Sequence, residues 1–432
     1  MALLPLDRAS HPLLVQEQIT KIIKSENLFV VSHPSGNTFV RALLEKLNGE
    51  DLLRSFHTTI GVGRRANPFL RVLAQRRSYE VDDGLISRNW FPELTRLLPF
   101  GPSSQEKKRR LADQACLSLD RKVAERLRLL PCDFIHSYED SAASSFRRAK
   151  ELGMHRSYEL PIAHWATSRR LLAEEAERFP QWEPTLESTR EPEEKLARKE
   201  EELALASCIT CPSQFVLESI PSEIRVKTPC QVTPFGSPKI PPNSSKFGTV
   251  RKEGKLKLLF VGSMSQRKGL ADLFQAMKLI SSPNVSLSVL GRPSLPMSFY
   301  REIFPHFQYL TPRSNKEVQD AMNGHDVLVL PSIIEGRALV QQEAMASGLP
   351  LIITPNTGGA DLIEKEKTGF IVPIRDPRKI AEKIEWFAGT QKMLPDMSRH
   401  CRKKAMQYNW STYASSIISF CLRIRAKSNA IS

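Results

Sequence analysis

The stretch Asp326–Gly359, DVLVLPSIIEGRALVQQEAMASGLPLIITPNTGG, decides the fold of the second half of this 432-residue chain. The short apolar run Asp326–Pro331 predicts a buried parallel strand, and Leu339–Ser347 predicts a helix. Glu335 then lies in the loop between them, and Glu343 lies one turn into the helix. Because ligands of such α/β units collect at the carboxyl ends of the strands, this loop is a candidate binding site.

The start of this helix suits a phosphorylated ligand. The first N–H groups, near Ala338, Leu339 and Val340, have no intrahelical partner and can receive phosphate oxygens. Carboxylates repel phosphate, so we expect Glu335 and Glu343 to accept hydrogen bonds from the hydroxyls of a ribose and a sugar. The segment predicts a nucleotide-sugar site, with two solvated glutamates as the alternative.

The alternation of strands and helices runs through most of the chain and predicts an α/β fold with parallel, doubly wound sheets. The sequence divides into two Rossmann-like domains. We predict an N-terminal domain at 1–235 with a helical insertion at about 65–130, a linker rich in Pro, Gly and Ser at 236–254, a C-terminal domain at 255–405, and a helix at 406–432 that crosses back to the first domain.

A second loop, GSMSQRKG at 262–269, follows the first strand of the C-terminal domain. It contains the adjacent cations Arg267 and Lys268. Negative charge accumulates on a diphosphate leaving group as its bond to the sugar breaks, and fixed cations lower that barrier. We expect both side chains to contact the diphosphate, with a solvent-exposed pair as the alternative.

These motifs resemble those of the family 4 glycosyltransferases, retaining enzymes of the GT-B fold with two Rossmann-like domains across a cleft. The resemblance rests on a Glu, seven residues and a second Glu on a strand–loop–helix, and it covers most of the chain. It implies that Glu343 holds the donor ribose and Glu335 the transferred sugar. Lys268 matches the family lysine, whereas Ser263 stands where an arginine is usual, so Arg267 would supply the guanidinium.

The chain departs from the family at Arg337 and Ala338, where many members carry Phe and Gly. This departure predicts an extra cation near the phosphates. The resemblance also places Gly36 of the first loop close to the reacting centre. His164 lies near the position of a sugar-contacting histidine, although a structural histidine explains it equally.

Two further residues, Glu139 and Asp140, follow a predicted strand, and we expect them on the acceptor side.

The sequence contains no Asp-x-Asp triplet, so we predict metal-independent transfer without a cofactor. The resemblance implies a UDP-sugar or GDP-sugar as the donor, a retaining reaction, and a saccharide or lipid-linked molecule as the acceptor.

The net charge of +15 is unevenly distributed. Residues 60–128 contain fifteen Lys and Arg against eight Asp and Glu, together with the aromatic residues Trp90 and Phe91. Basic and interfacial aromatic residues together can dock on anionic membranes, so this segment predicts a membrane-binding surface. The alternative is a basic face that is simply exposed to solvent. The sequence contains no basic motif interleaved with aromatic residues, which is the pattern that would indicate nucleic-acid binding.

The seven cysteines at irregular spacing predict reduced thiols.

No apolar run reaches membrane-spanning length, and the N-terminus MALLPLDRAS lacks the features of a secretory signal. We therefore expect a cytoplasmic protein in peripheral contact with the inner face of the membrane. Two other functions remain open: a nucleotide-sugar epimerase of the same fold, and a non-catalytic GT-B module that binds anionic surfaces.

Overall fold

The structure is a computed structural model. It describes residues 27–69, 74, 77–91, 93, 105–186, 191–239, 254–311 and 314–430. The predicted linker at 236–254 lies mostly outside the described residues, as do parts of the predicted insertion at 65–130.

The first sheet has seven strands in the order β3-β2-β1-β4-β5-β6-β7. Its strands are β1 Phe29–Ser32, β2 Leu53–Thr58, β3 Ile86–Arg88, β4 Phe134–Tyr138, β5 His155–Glu159, β6 Cys208–Cys211 and β7 Cys230–Val232. Strands β1 to β5 pair in parallel. The order reverses between β1 and β4, so the first switch point lies at the loop that follows β1.

The second sheet has six strands in the order β10-β9-β8-β11-β12-β13, and all its pairs are parallel. Its strands are β8 Leu256–Val261, β9 Val285–Leu290, β10 Phe307–Leu310, β11 Val327–Leu330, β12 Leu351–Ile353 and β13 Gly369–Ile371. The switch point lies between β8 and β11. The loops after these two strands contain four of the predicted donor-binding residues, which are Arg267, Lys268, Glu335 and Ala338.

Helices connect the strands, as parallel pairing requires. They are α1 Thr38–Gly49, α2 Gln105–Arg126, α3 Ala143–Glu151, α4 Trp165–Arg178, α5 Glu193–Leu205, α6 Gln214–Ser219, α7 Ser222–Lys227, α8 Leu270–Leu279, α9 Met297–Ile303, α10 Asn315–Asn323, α11 Leu339–Ala346, α12 Pro377–Gly389, α13 Leu394–Met406 and α14 Trp410–Asn429. The predicted α/β class with two doubly wound sheets is confirmed.

Strand β3 lies inside the segment predicted as a helical insertion. It pairs with β2 through Phe56 and Ile86 and forms the edge of the first sheet. Its sequence, Ile-Ser-Arg, is too short and too polar to show an apolar run. Among the residues of that segment that the structure describes, Gln105–Arg126 form the helix α2.

The chain forms two compact units. Unit 1 contains the described residues up to Glu159, then Arg198–Ile209, and then those from Ala414 onwards. Unit 2 contains Leu160–Ala197 and Thr210–Tyr413. The predicted domain boundaries stay a prediction. The limits of the two compact units divide the chain in four places, and one of these places lies inside α14.

The core of unit 2 fixes the loops at its switch point. Strands β8, β11 and β12 are buried along their length except at Lys257. Ile333 and Ile334, which follow β11, pack with Leu171 and Leu172 of α4 in a separate apolar cluster. The loop that contains Glu335 is thus anchored by apolar contacts directly before the carboxylate.

No helix within the described residues is long and apolar enough to cross a membrane. All seven cysteines lie in that part of the chain, and none of them forms a disulfide.

Candidate donor-binding site

The loop after β8 is held against the end of β11. Gly269, at the end of this loop, has a φ of +73°. A Cβ atom at Gly269 would lie 2.0 Å from the carbonyl oxygen of Pro331. Glycine alone fits there, because the backbone approach is close and the conformation is left-handed. The turn Gln266–Lys268 therefore has a fixed position beside β11.

The loop after β11 brings Glu335 to this turn. The N–H of Ile333 donates to the carbonyl oxygen of Arg267 at 2.9 Å. The Oε1 atom of Glu335 lies 2.9 Å from Nη1 of Arg267 and 2.5 Å from Nζ of Lys268. Three of the predicted donor-binding residues are thus in direct contact, although Glu335 is 68 residues from Arg267 in sequence.

The electrostatics of this cluster follow from its burial. Burial alone would raise the pKa of the Glu335 carboxyl, but the charges of Lys268 and Arg267 outweigh it and hold the pKa below its usual value of 4.5. Burial lowers the pKa of the Lys268 ammonium, and Glu335 opposes this effect. With both cations protonated, the cluster has one net positive charge available to a bound anion.

Gly336 fixes the path of the chain after Glu335. A Cβ atom at Gly336 would lie 1.7 Å from the carbonyl oxygen of Pro161. Its own carbonyl oxygen accepts a hydrogen bond from Oγ of Ser213 at 2.6 Å. Both partners precede the predicted linker, yet they belong to unit 2. The Ser213 contact was not predicted, and nothing in the sequence indicates it.

The N-terminus of α11 offers two N–H groups. Among the described residues, no hydrogen-bond partner is found for the N–H groups of Leu339 and Val340, which are partly exposed. The N–H of Ala338, which the sequence analysis included with them, donates to the carbonyl oxygen of Thr357 at 3.1 Å. The free pair of N–H groups is therefore Leu339 and Val340.

Glu343 lies one turn into α11 and is partly buried. Within the described part of the chain, its carboxylate makes no hydrogen bond or ion pair. Burial raises the pKa of this carboxyl. A desolvated carboxylate without a partner has its hydrogen-bonding capacity available for a ligand that donates from hydroxyls.

Arg337 is engaged within unit 2. Its side chain is 1% exposed, and it bonds both carboxylate oxygens of Asp361, at 2.7 and 3.1 Å. It also donates to the carbonyl oxygen of Gly358 at 2.9 Å and to Oε1 of Gln342 at 3.1 Å. The ring of Tyr408 lies 4.9 Å from its guanidinium carbon. This guanidinium holds the loop after β12 to the loop after β11, so the extra cation expected near the phosphates is already paired.

His164 lies at the N-terminus of α4 and is buried. Its Nδ1 accepts a hydrogen bond from the backbone N–H of Ala166 at 3.4 Å, and the backbone N–H of His164 donates to Oγ of Ser219 at 2.8 Å. These contacts give His164 a capping role in unit 2. A contact between His164 and the sugar stays a prediction.

Gly36 lies in unit 1, in the loop between β1 and α1. Its carbonyl oxygen accepts a hydrogen bond from Nη1 of Arg41 at 3.2 Å. The same loop begins with His33, a buried residue that the sequence analysis did not select. Burial lowers the pKa of His33 to about 3, and its Nδ1 accepts a hydrogen bond from the backbone N–H of Ser35 at 3.0 Å.

Glu139 and Asp140 lie in a polar cluster of unit 1. Nζ of Lys199 is 3.4 Å from Glu139 and 3.8 Å from Asp140. The N–H of Asp140 donates to Oε2 of Glu202 at 3.0 Å. The pairing explains both carboxylates structurally, because Lys199 is itself buried and needs opposite charge. Their role on the acceptor side stays a prediction.

No group of three or more His, Cys, Asp or Glu residues within the described ranges is placed to hold a metal ion.

Two doubly wound sheets, with a carboxylate and two cations at the switch point of the second, define the GT-B class of two-domain α/β proteins. Sucrose-phosphate synthase from Thermosynechococcus elongatus has a similar fold, with a TM-score of 0.66 at 16% identity over 94% of this chain and all of that one. HepE from Anabaena, solved in complex with UDP, gives a TM-score of 0.58 at 15% identity over 91% of this chain and 99% of that one. The predicted GT-B fold is confirmed.

Residues 243–407 match the model of the family described as glycosyl transferases group 1. The capsular polysaccharide biosynthesis glycosyltransferase CapM of Staphylococcus aureus is 33% identical over 154 residues, which cover 34% of this chain and 40% of CapM. The D-inositol 3-phosphate glycosyltransferase of Jonesia denitrificans is 25% identical over 182 residues, or 39% of this chain and 43% of that protein. The chain thus spans about two fifths of the length of these curated relatives.

Proposed function

We propose that this protein is a retaining, metal-independent glycosyltransferase that moves a sugar from a nucleotide-diphospho-sugar to a saccharide or lipid-linked acceptor. The observation that carries the proposal is the buried contact of Glu335 with Arg267 and Lys268 at the switch point of the second sheet. The family match of residues 243–407 supports it.

Donor binding exchanges partners within this cluster. The diphosphate carries more negative charge than one carboxylate, so it takes the hydrogen bonds of Arg267 and Lys268. Glu335 is then released to accept hydrogen bonds from the hydroxyls of the sugar. The N–H groups of Leu339 and Val340 bind phosphate oxygens, and Glu343 accepts from the ribose diol.

Transfer breaks the bond between the anomeric carbon and the β-phosphate oxygen, and the electron pair of that bond stays on the phosphate. The acceptor hydroxyl oxygen forms the new bond to the anomeric carbon on the face that the phosphate leaves, which retains the configuration. The hydroxyl proton passes to the departing phosphate. Arg267 and Lys268 stabilise the charge on the leaving group, so the proposal includes no divalent metal.

Glu335, Gly36 and His164 are the proposed residues at the reacting centre. The donor is proposed to be a UDP-sugar or a GDP-sugar, and the complex of HepE with UDP supports the first. The similarity to CapM, a glycosyltransferase of capsular polysaccharide biosynthesis, supports a saccharide as the acceptor.

A thermal-shift screen against UDP, GDP, ADP and TDP tests the donor site. One nucleotide at a hundredfold excess over its dissociation constant stabilises the wild type by about 2.7 kcal/mol. Glu343→Ala is expected to lose this stabilisation, because the ribose loses its acceptor. The matched control Glu302→Ala removes an exposed glutamate of α9 and is expected to behave as the wild type. If no nucleotide stabilises the wild type at millimolar concentration, the proposal is wrong.

We further propose that unit 1 contacts an anionic membrane from the cytoplasmic side. Trp90 and Phe91 are 54% and 68% exposed. The adjacent Asn89 donates from Nδ2 to Oγ of Ser118 on α2 at 2.9 Å. The exposed basic residues 107–110 lie on the same helix, about 12 to 16 Å from Ser118 at 1.5 Å per residue. Two exposed aromatic rings and four exposed basic residues, of which Arg110 pairs with Glu106, suit a surface of anionic headgroups.

Sedimentation with vesicles of phosphatidylcholine and phosphatidylglycerol tests this surface. The wild type is expected to sediment at low salt and to be released by salt. A variant with Trp90→Ser and Phe91→Ser is expected to remain in the supernatant. Val226→Ser, which removes an exposed apolar residue from unit 2, serves as the control. If all three proteins sediment equally, or if none of them sediments, the membrane contact is wrong.

A further inference from the structure

A buried polar network lies next to the turn Gln266–Lys268 in unit 2. The carboxamide of Gln266 is fully buried. Its Nε2 donates to Oε2 of Glu175 at 2.6 Å and to Oδ2 of Asp272 at 2.7 Å, while its Oε1 accepts from the N–H of Ala271 at 2.9 Å. Both N–H bonds and the oxygen of this side chain are therefore engaged, and the side chain has one position.

Two arginines neutralise the carboxylates of the network. Arg178 donates to both oxygens of Asp272, at 2.5 and 3.1 Å. Arg375 donates from Nε to Oε1 of Glu175 and from Nη2 to the carbonyl oxygen of Leu171 at 3.0 Å. Arg375 has a φ of +63°, a left-handed conformation that costs a non-glycine residue on the order of 1 kcal/mol. The contacts of its side chain compensate this strain and hold α4 in place.

Stability alone gives no reason for this arrangement. Replacing a buried ion network by packed apolar residues is often neutral or stabilising. Such a network fixes geometry instead, because each charged group has its partners in defined directions. The geometry fixed here is that of a turn, since Gln266 directly precedes the two cations of the donor site.

We propose that Glu175 is a positioning residue for the donor diphosphate. It holds Gln266, and Gln266 holds the turn that presents Arg267 and Lys268. Glu175 precedes these cations by about ninety residues and is not in contact with them, so it acts through Gln266. The inference rests on the proposed function, because it assigns the diphosphate to Arg267 and Lys268.

Calorimetric titration of Glu175→Gln with UDP, UMP, GDP and GMP tests the role. A shifted turn weakens the contacts to the second phosphate, so we expect about a tenfold loss of affinity for the nucleoside diphosphate that the wild type binds. The corresponding monophosphate is expected to lose less than about twofold, because its contacts lie on α11. A merely structural role would lower both affinities equally.

Glu174→Gln is the matched control. The carboxylate of Glu174 is bound by Arg375 as well, at 2.6 Å, and has no hydrogen bond with Gln266. We expect both affinities to stay within about twofold of the wild type. Gln266→Met keeps both carboxylates with their arginines and gives a second test, with the same loss confined to the diphosphate.

The outcomes separate the two proposals. An unchanged diphosphate affinity in Glu175→Gln and Gln266→Met, or an equal loss for mono- and diphosphate, would overturn the positioning role alone. A wild-type protein that binds none of the four nucleotides would overturn the proposed function and this inference with it.

Discussion

Glu343 shows most directly how the environment of one side chain suits it to a ligand. Burial raises the pKa of its carboxyl above the ordinary value of 4.5. The described residues provide no partner for the ionised form. A ribose diol that donates hydrogen bonds would compensate the lost hydration, so ligand binding and ionisation of Glu343 favour each other.

Affinity for the nucleotide should therefore depend on pH through Glu343. In the free protein the raised pKa means that the carboxyl takes up a proton at a higher pH than an ordinary glutamate. As the pH falls through this pKa, the affinity is expected to fall by up to tenfold per pH unit, because the acceptor is lost.

Titrations of the wild type and of Glu343→Gln across pH 4 to 8 measure this dependence. The phosphates of the nucleotide titrate in both, so the difference between the two curves isolates Glu343. Parallel curves would exclude Glu343 as the ribose acceptor.

Sequence reasoning at the residue scale works where the partner is close in sequence or fixed by topology. Glu335, Arg267 and Lys268 could be placed together because β8 and β11 are neighbours at a switch point, whatever the distance in sequence. The pairing of Glu139 with Lys199 could not be predicted, since sixty residues separate them and no periodic pattern connects their elements. His33 was missed because one buried histidine has no sequence signature.

At the scale of elements, the loops after β11 and β12 form one structure. The N–H of Glu335 donates to the carbonyl oxygen of Asn356 at 3.0 Å, and that of Ala338 donates to Thr357 at 3.1 Å. Arg337 adds its bonds to Gly358 and Asp361. Many family 4 glycosyltransferases carry Phe and Gly in the turn before α11. In this protein the buried guanidinium of Arg337 holds that turn.

Arg337→Ala is expected to lower the free energy of unfolding of unit 2 by about 2–4 kcal/mol. The substitution removes a buried side chain and leaves the carbonyl of Gly358 and the amide oxygen of Gln342 without this donor. The control Arg399→Ala breaks an exposed pair with Asp396 and is expected to cost about 0.5 kcal/mol or less. Urea unfolding measures both. Equal costs would mean that the guanidinium does not hold these loops.

Elements were predicted well where an apolar run sets the strand. The strand predicted at Asp326–Pro331 contains β11, and the helix predicted at Leu339–Ser347 exceeds α11 by one residue. All four residues of β11 are buried, so this strand shows as a continuous apolar run. Strand β3 gave no such signal, because it is a three-residue edge strand with two partly exposed residues.

At the scale of the whole molecule, the α/β class and the two parallel sheets followed from the alternation of apolar runs and helical patterns. The way in which the two compact units alternate along the chain has no signal in the sequence. Leu160–Ala197 precedes the predicted linker but belongs to unit 2. The reason lies in contacts such as Arg178 with Asp272 and Arg375 with Glu175, which join residues about 94 and 200 positions apart. Such pairs follow only from the folded structure.

The central claim is that the protein transfers a sugar from a nucleotide-sugar to an acceptor. NMR tests this claim most directly, with a nucleotide-sugar that is labelled with carbon-13 at the anomeric carbon. The donor is chosen from the thermal-shift screen and incubated with saccharide and lipid-linked acceptors. We predict a new glycoside with the anomeric configuration of the donor, one nucleoside diphosphate released per glycoside, and loss of both in Glu335→Gln. A donor left unchanged by every acceptor, or an epimerised sugar still attached to its nucleotide, would contradict the account.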